Sequence, residues 1–187
     1  RDGKEGGSNE EKRKEGRNET GMLQSLRDFQ ESLLGVFCLT TKANDPRMWG
    51  HYGDRHRGVM IGFDSRHSDF SSVEQVIYSR QLPSAGVDGS EFGKAVKTKS
   101  DVWKEEDEWR LTATLSKCEV KMFGGTPVYI QRPERECFHS ITFGCRTEHS
   151  FMIAVANSLG RWGLSHCTVW HARMCDRTYD LIPEKFE

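Results

Sequence analysis

Long apolar runs, an excess of one charge and the familiar phosphate-binding loops are all missing from this sequence. No stretch of the 187 residues approaches the roughly 20 apolar residues a membrane helix needs. A membrane is therefore not an expected partner. Lys and Arg number 27 against 28 Asp and Glu, so no global field draws the chain to a phosphate backbone. Nucleic acid is not indicated by charge. There is no Walker loop, no G-x-G-x-x-G after a strand and no G-x-S-x-G elbow. A signal peptide is absent from the start, so the cytoplasm is the expected compartment. The six cysteines, Cys38, Cys118, Cys137, Cys145, Cys167 and Cys175, then read as mostly buried, reduced thiols. Cys137 with His139, Cys145 with His149, and Cys167 with His171 and Cys175 invite a zinc reading. None has the C-x-x-C pairs of a structural site.

Apolar residues are also scarce, at 35 %, and part of the shortfall lies in residues 1–21. Within 1–19, six basic residues balance six acidic ones and almost nothing is apolar. Such a segment cannot bury enough surface to offset its ordering entropy. Residues 1–21 are expected to be a disordered, charged tail or linker. Residues 22–187 are expected to form a single α+β domain, a length that suits one core.

Met22, Leu23, Leu26, Phe29, Leu33 and Leu34 recur at helical spacing, with Gly35 placed to end the helix. Val36–Thr41 reads as a short buried strand. Asp45 can cap a helix that has Pro46 at its first position. Gly58–Asp64 reads as a strand with a bulge or close approach at its glycines. Weaker strand signal covers Val73–Tyr78, and Pro83–Gly89 reads as a loop. A helix is expected from Ser90 to about Trp103 and a strand over Glu108–Leu115. Gly124-Gly125 marks a turn before Val128–Ile130. Phe138–Cys145 and Cys167–Ala172 read as strands, His149–Leu159 as a helix ended by Gly160, and Tyr179–Ile182 as a last short strand. The irregular alternation predicts a mixed, mainly antiparallel sheet flanked by helices.

Two clusters carry the residue types of a reactive site. The first is Met48-Trp49-Gly50-His51-Tyr52-Gly53-Asp54-Arg55-His56-Arg57-Gly58. If it is helical, His51 shares a face with Arg55, and Tyr52 with His56. Imidazoles serve as acid, base or ligand, and Tyr and Trp offer stacking surfaces with a polar handle. The plainer alternative packs Trp49 and Tyr52 in the core and leaves both histidines in water. The second is Lys99-Ser100-Asp101-Val102-Trp103-Lys104-Glu105-Glu106-Asp107-Glu108-Trp109-Arg110. A helix-to-strand change near Glu106 would aim Glu106 and Glu108 at one face, where paired carboxylates raise each other's pKa for acid–base work. Alternatively it is a solvated acidic run paired with Lys99, Lys104 and Arg110.

Together the clusters resemble a known family. Val36-Phe37-Cys38-Leu39-Thr40-Thr41 is followed by Met48-Trp49-x-His51-Tyr52 and by His56-x-Gly58-Val59-x-Ile61-Gly62-Phe63-Asp64. Then come Val76-x-Tyr78, Lys99-x-x-x-Trp103-x-x-Glu106-x-Glu108-Trp109-Arg110, Ile141-Thr142-Phe143-Gly144-Cys145-Arg146 and Tyr179-Asp180-Leu181. Over about 35–182 this is similar to an uncharacterised bacterial family, "domain of unknown function 2971". The resemblance implies an upstream stretch with a Tyr-rich strand and an Asn-Asp-Pro-Phe segment. Residues 1–21 bear no likeness to it, so the chain is expected to be N-terminally incomplete.

The family pattern also looks like a distant cousin of ADP-ribosyltransferase folds. That likeness implies NAD as cofactor, a macromolecular substrate or protein partner, and a setting in bacterial conflict or phage defence. It implies Glu108, with Glu106 second, as the catalytic Glu that binds a ribose hydroxyl and steadies an oxocarbenium-like transition state. Trp49, His51, Tyr52, His56 and Thr41 would line the substrate or cofactor pocket. Two other readings stay open. One is a metal-dependent hydrolase or nuclease using His51, His56, Asp64, Glu106 and Glu108 as hard O/N donors. The other is a non-catalytic binding module.

Overall fold

The computed structural model describes residues 33–83 and 92–186. In chain order the elements are β1 (Leu34–Thr40), α1 (Pro46–Tyr52), β2 (Val59–Phe63), β3 (Glu74–Gln75), β4 (Ile77–Ser79), α2 (Phe92–Lys97), β5 (Thr98–Ser100) and β6 (Glu108–Thr114). They continue with β7 (Glu119–Phe123), β8 (Thr126–Ile130), β9 (Phe138–Phe143), α3 (His149–Trp162), β10 (Thr168–Met174) and β11 (Leu181–Lys185). A 3₁₀ helix spans Asp101–Glu106. The tail expected over 1–21 lies outside the described residues, as do most of the helix expected from Met22 and most of the Pro83–Gly89 loop. Leu34 and Gly35 are already strand, so Gly35 ends no helix.

The architecture is α+β with mixed, mainly antiparallel pairing. β2–β9, β10–β11, β3–β6 and β7–β8 run antiparallel, while β9–β10 and β4–β5 are parallel. Two compact units divide the chain. One takes in the described residues up to Phe37 together with Ile77–Asp101 and Thr112–Ile130; the other comprises Cys38–Val76, Val102–Leu111 and Gln131–Glu187. No helix among the described residues is long and apolar enough to cross a membrane.

The second unit is organised by the sheet β11-β10-β9-β2. Successive side chains of a strand point to opposite faces, and both faces are apolar here. Ile141 and Phe143 of β9 pack with Met152 and Leu159 of α3 and with Cys167, supported by Val59 and Val169. On the other side Ala172 of β10 and Leu181 of β11 pack with Trp49 of α1, supported by Met60 and Cys145. Neighbouring residues such as Val59 and Met60 therefore feed different cores. α3 runs past Gly160 to Trp162. Gly163 ends it by taking φ 73°, and its N–H donates to the Gly160 and Leu159 carbonyls. β2 changes register between Gly62 and Phe63, the irregularity expected from its glycine.

The first unit holds the parallel pair β4–β5 and the hairpin β7–β8. Gly124 and Gly125 close the hairpin with φ of 56° and 84°, the backbone of a two-residue primed turn. Among the described residues the helix expected from Ser90 to about Trp103 forms over Phe92–Lys97 and does not continue into Thr98–Ser100. Thr98, Lys99 and Ser100 instead pair with Ile77, Tyr78 and Ser79. β1 is not buried as expected, because Val36, Phe37 and Cys38 are exposed.

Candidate functional site

The first cluster begins with a capped helix. Asp45 accepts from Arg47 N–H at 2.9 Å, with Pro46 at the first helical position. This orients Trp49 into the core, where its indole N–H donates to the Ala43 carbonyl at 2.8 Å. Tyr52, near the helix end, stays 65 % exposed. Its hydroxyl reaches Glu106 Oε1 at 2.9 Å. His51 is exposed, and its ring meets Trp103 edge-on with centroids 6.1 Å apart.

The helical sharing expected of His51 with Arg55 and of Tyr52 with His56 is not formed, because α1 stops at Tyr52. Asp54, Arg55 and His56 all take left-handed φ, at 46°, 54° and 69°. His56 is held by its backbone: its N–H donates to the Trp49 carbonyl at 3.2 Å and its carbonyl accepts from Arg146 N–H at 2.9 Å. A Cβ on Gly144 would run into the His56 carbonyl, so this close approach requires glycine. His56 Nδ1 is buried without a hydrogen-bond partner.

In the second cluster the 3₁₀ helix ends at Glu106, Asp107 takes φ 46°, and β6 starts at Glu108. Both carboxylates are buried, Glu106 at 8 % exposure and Glu108 at 5 %. Glu106 accepts from Tyr52, while Glu108 Oε1 accepts from Arg110 Nε at 2.7 Å. Loss of solvation and the Glu108 carboxylate hold the nearby Cys38 thiol above its usual range. Thr40 Oγ1 donates to the Glu106 carbonyl at 2.5 Å. Thr41 Oγ1 donates to the Asp107 carboxylate, which also accepts from Gln75 Nε2 at 2.9 Å. These two donors hold the Asp107 carboxyl below its usual range.

Asp107, Gln75, Cys38 and Trp103 thus join the site without having been singled out for it, while Thr40, next to Thr41, and Arg110, a partner of the acidic run, were expected there. Asp107 and Trp103 lie within the second motif stretch and Cys38 within Val36–Thr41, whereas nothing in the sequence marked Gln75.

Three concavities border the segment Thr40–Ala43. A cleft of about 130 Å³ is lined by Thr40, Lys42, Trp49 and Tyr52, among others. One of about 420 Å³ lies against Leu39, Thr40, Thr41, Phe63, Phe70 and Trp109. The largest, about 630 Å³, is bordered by Thr41, Lys42, Asn44, Arg47, Tyr179 and Asp180. Among the expected pocket residues, Trp49, Tyr52 and Thr41 line these clefts; His51 and His56 line none of them.

Among the described residues no group of three or more His, Cys, Asp or Glu is placed to hold a metal ion. His51, His56, Asp64, Glu106 and Glu108 are not gathered as a ligand set, and Asp64 is paired with Arg66 at 2.8 Å. All six cysteines are free. Only Cys137 and Cys167 are buried, and Cys38 is exposed, so the expectation of mostly buried thiols fails.

The family model described as protein of unknown function (DUF2971) matches residues 48–111. This stretch resembles that family. It runs from Met48 through Leu111 and contains both clusters, including Tyr52 and Glu106. The match is narrower than the span 35–182 over which the resemblance was read. Comparison with curated proteins and with solved structures gives no match.

Proposed function

We infer that the chain is an ADP-ribosyltransferase-like enzyme, acting with NAD on a macromolecule, with bacterial conflict or phage defence as its setting. The observation that supports this reading is the Tyr52–Glu106 hydrogen bond of 2.9 Å beside a cleft that Trp49 also lines. It joins an exposed aromatic ring to a carboxylate across 54 residues of chain. Glu106 and Glu108 exchange the ranks the resemblance gave them. Glu108 is neutralised by Arg110, which suits a positioning residue better than one that meets substrate.

The residues present fit NAD in kind. An aromatic ring for the nicotinamide, a carboxylate for the ribose and a cation for the phosphates are all at hand in Tyr52, Glu106 and Lys42. Lys42 borders both the 130 Å³ and the 630 Å³ clefts. NAD, when bound, supplies an ADP-ribosyl group whose bond to nicotinamide breaks with positive charge building on the ribose. Tyr52 offers a ring held in place by its own hydroxyl. Glu106, itself only 8 % exposed, offers negative charge that acts more strongly than it would in bulk solvent. Thr40 fixes the Glu106 backbone, and Thr41 with Gln75 fixes Asp107 beside it.

The test is nicotinamide release by the full chain, compared with Glu106→Gln and Glu108→Gln. Loss in Glu106→Gln with a folded spectrum supports the reading. Release that survives Glu106→Gln overturns the assignment. One specific observation favours the binding-module reading instead: both carboxylates are buried on fixed partners. If the full chain neither binds nor consumes NAD, that reading replaces the enzyme.

A further inference from the structure

The hairpin β7–β8 of the first unit is open to solvent, with one wholly apolar face and an opposite face that mixes Phe123 and Val128 with Glu119, Lys121 and Thr126. Its register sets Val120 opposite Tyr129 and Met122 opposite Pro127. Alternation places these four side chains on one face. Val120 is 52 % exposed, Met122 63 % and Tyr129 43 %, and Pro127 is exposed as well. Among the described residues the two strands form a sheet of their own. A two-stranded sheet with an uncovered apolar face is marginal in water, and extension by further strands is the ordinary remedy.

The edges of the hairpin are unequal. A two-residue turn closes on a hydrogen-bonded pair, here Phe123 with Thr126. Alternation then makes Met122–Pro127 and Val120–Tyr129 the pairs whose backbone groups point away from the hairpin. The outward position on β8 is thus occupied by Pro127, which has no N–H to give. The outward positions on β7 are Val120 and Met122, each with N–H and C=O.

We propose that β7 pairs antiparallel with β7 of a second copy of this chain about a two-fold axis through Val120, making a four-stranded sheet. Charge selects the occupant and the register. Glu119 and Lys121 flank Val120 and already lie 3.5 Å apart within one strand. Centred on Val120, the pairing sets Glu119 of each copy against Lys121 of the other. Centred on Lys121 it would set lysine against lysine, and directly opposed like charges destabilise a sheet. The chosen register also joins the two apolar faces, so Val120, Met122, Pro127 and Tyr129 of both copies form one surface. The arrangement is isologous, as a two-fold contact must be.

Sedimentation of the full chain should give the mass of a dimer. Glu119→Lys and Lys121→Glu should each dissociate it, and the double exchange should restore it. Both positions lie on the exposed strand, so circular dichroism should show the fold intact in each. The register also sets position 120 of one copy opposite position 120 of the other, both within β7. Facing residues of a hydrogen-bonded pair lie about 5.5 Å apart at Cα, within disulfide reach. Mild oxidation of Val120→Cys should therefore double the mass under denaturing conditions, through position 120 of the other copy. A monomeric wild-type chain overturns the proposal, as do single reversals without effect, a double exchange that fails to restore the dimer, or no cross-link through Val120→Cys.

Discussion

Removing the Tyr52 hydroxyl tests the link between the two family motifs directly. Tyr52→Phe keeps the ring and leaves Glu106 Oε1 without the donor now 2.9 Å away. A hydrogen bond to a charged group contributes about 1.5–3 kcal/mol, and a buried acceptor left without its donor costs a similar amount. Tyr52 is 65 % exposed, so water takes over part of the role; Glu106 is only 8 % exposed, so water reaches it poorly. The balance is a loss of roughly 1–2 kcal/mol. For a chain of this size that lowers Tm by about 2–8 °C. Stability alone would not identify the bond, so the assay is a double-mutant cycle with Glu106→Gln, read by urea unfolding of all four proteins. A direct bond gives a coupling of about 1 kcal/mol or more, whereas independent sites add to within about 0.5 kcal/mol. A coupling inside that margin would refute the link, and with it the idea that the carboxylate orients the phenol.

Two further outcomes follow from local geometry. Arg55→Gly should stabilise the chain, because Arg55 sits at φ 54° between two other left-handed residues. Relief of about 1–2 kcal/mol of backbone strain outweighs the roughly 0.4–1 kcal/mol that glycine adds to the unfolded state's entropy. A fall in Tm would refute the strain. Cys175 should be the first thiol alkylated as pH rises from acid, because the Thr178 hydroxyl and the backbone N–H groups of Arg177 and Thr178 hold its thiol below the usual range. Peptide mapping after iodoacetamide at stepped pH reads this directly. Cys38, held above its range, should label only at higher pH than Cys175, and the reverse order would refute the assignment.

Signals carried by a few neighbouring residues were legible in the sequence. Asp45-Pro46 announced α1 and its cap, Gly124-Gly125 announced the turn between β7 and β8, and Gly62 announced the irregularity in β2. What was hidden depends on partners distant in the chain. Thr98–Ser100 has nothing locally against helix, yet it pairs with β4 and leaves the helix at Phe92–Lys97. Gly160 reads as the stop for α3, but the helix ends at Gly163, the residue that takes positive φ. The glutamates of E-x-E promised a shared face. Asp107 turns left-handed between them, and Glu106 and Glu108 engage Tyr52 and Arg110. A left-handed aspartate is uncommon, and no local pattern marks it in advance.

The burial pattern of Tyr52 and Glu106 runs against the usual preference. A carboxylate is buried while the aromatic ring that binds it lies in solvent, although burial suits the ring and costs the carboxylate. A contact kept only to hold the fold would gain more from the opposite arrangement, as Trp49 does three residues earlier with its ring in the core. Thr40 and Thr41 add hydrogen bonds to the Glu106 backbone and the Asp107 carboxylate, tying the end of β1 to the acidic corner. The same segment borders every one of the three clefts described. Fixed polar groups around an exposed ring give little to the core, but they remove the rotational freedom a ring would otherwise lose on binding. This distinguishes a presented surface from a packed one. Tyr52→Phe should therefore weaken ligand binding by more than its loss of stability explains, because the ring remains while its orientation is lost.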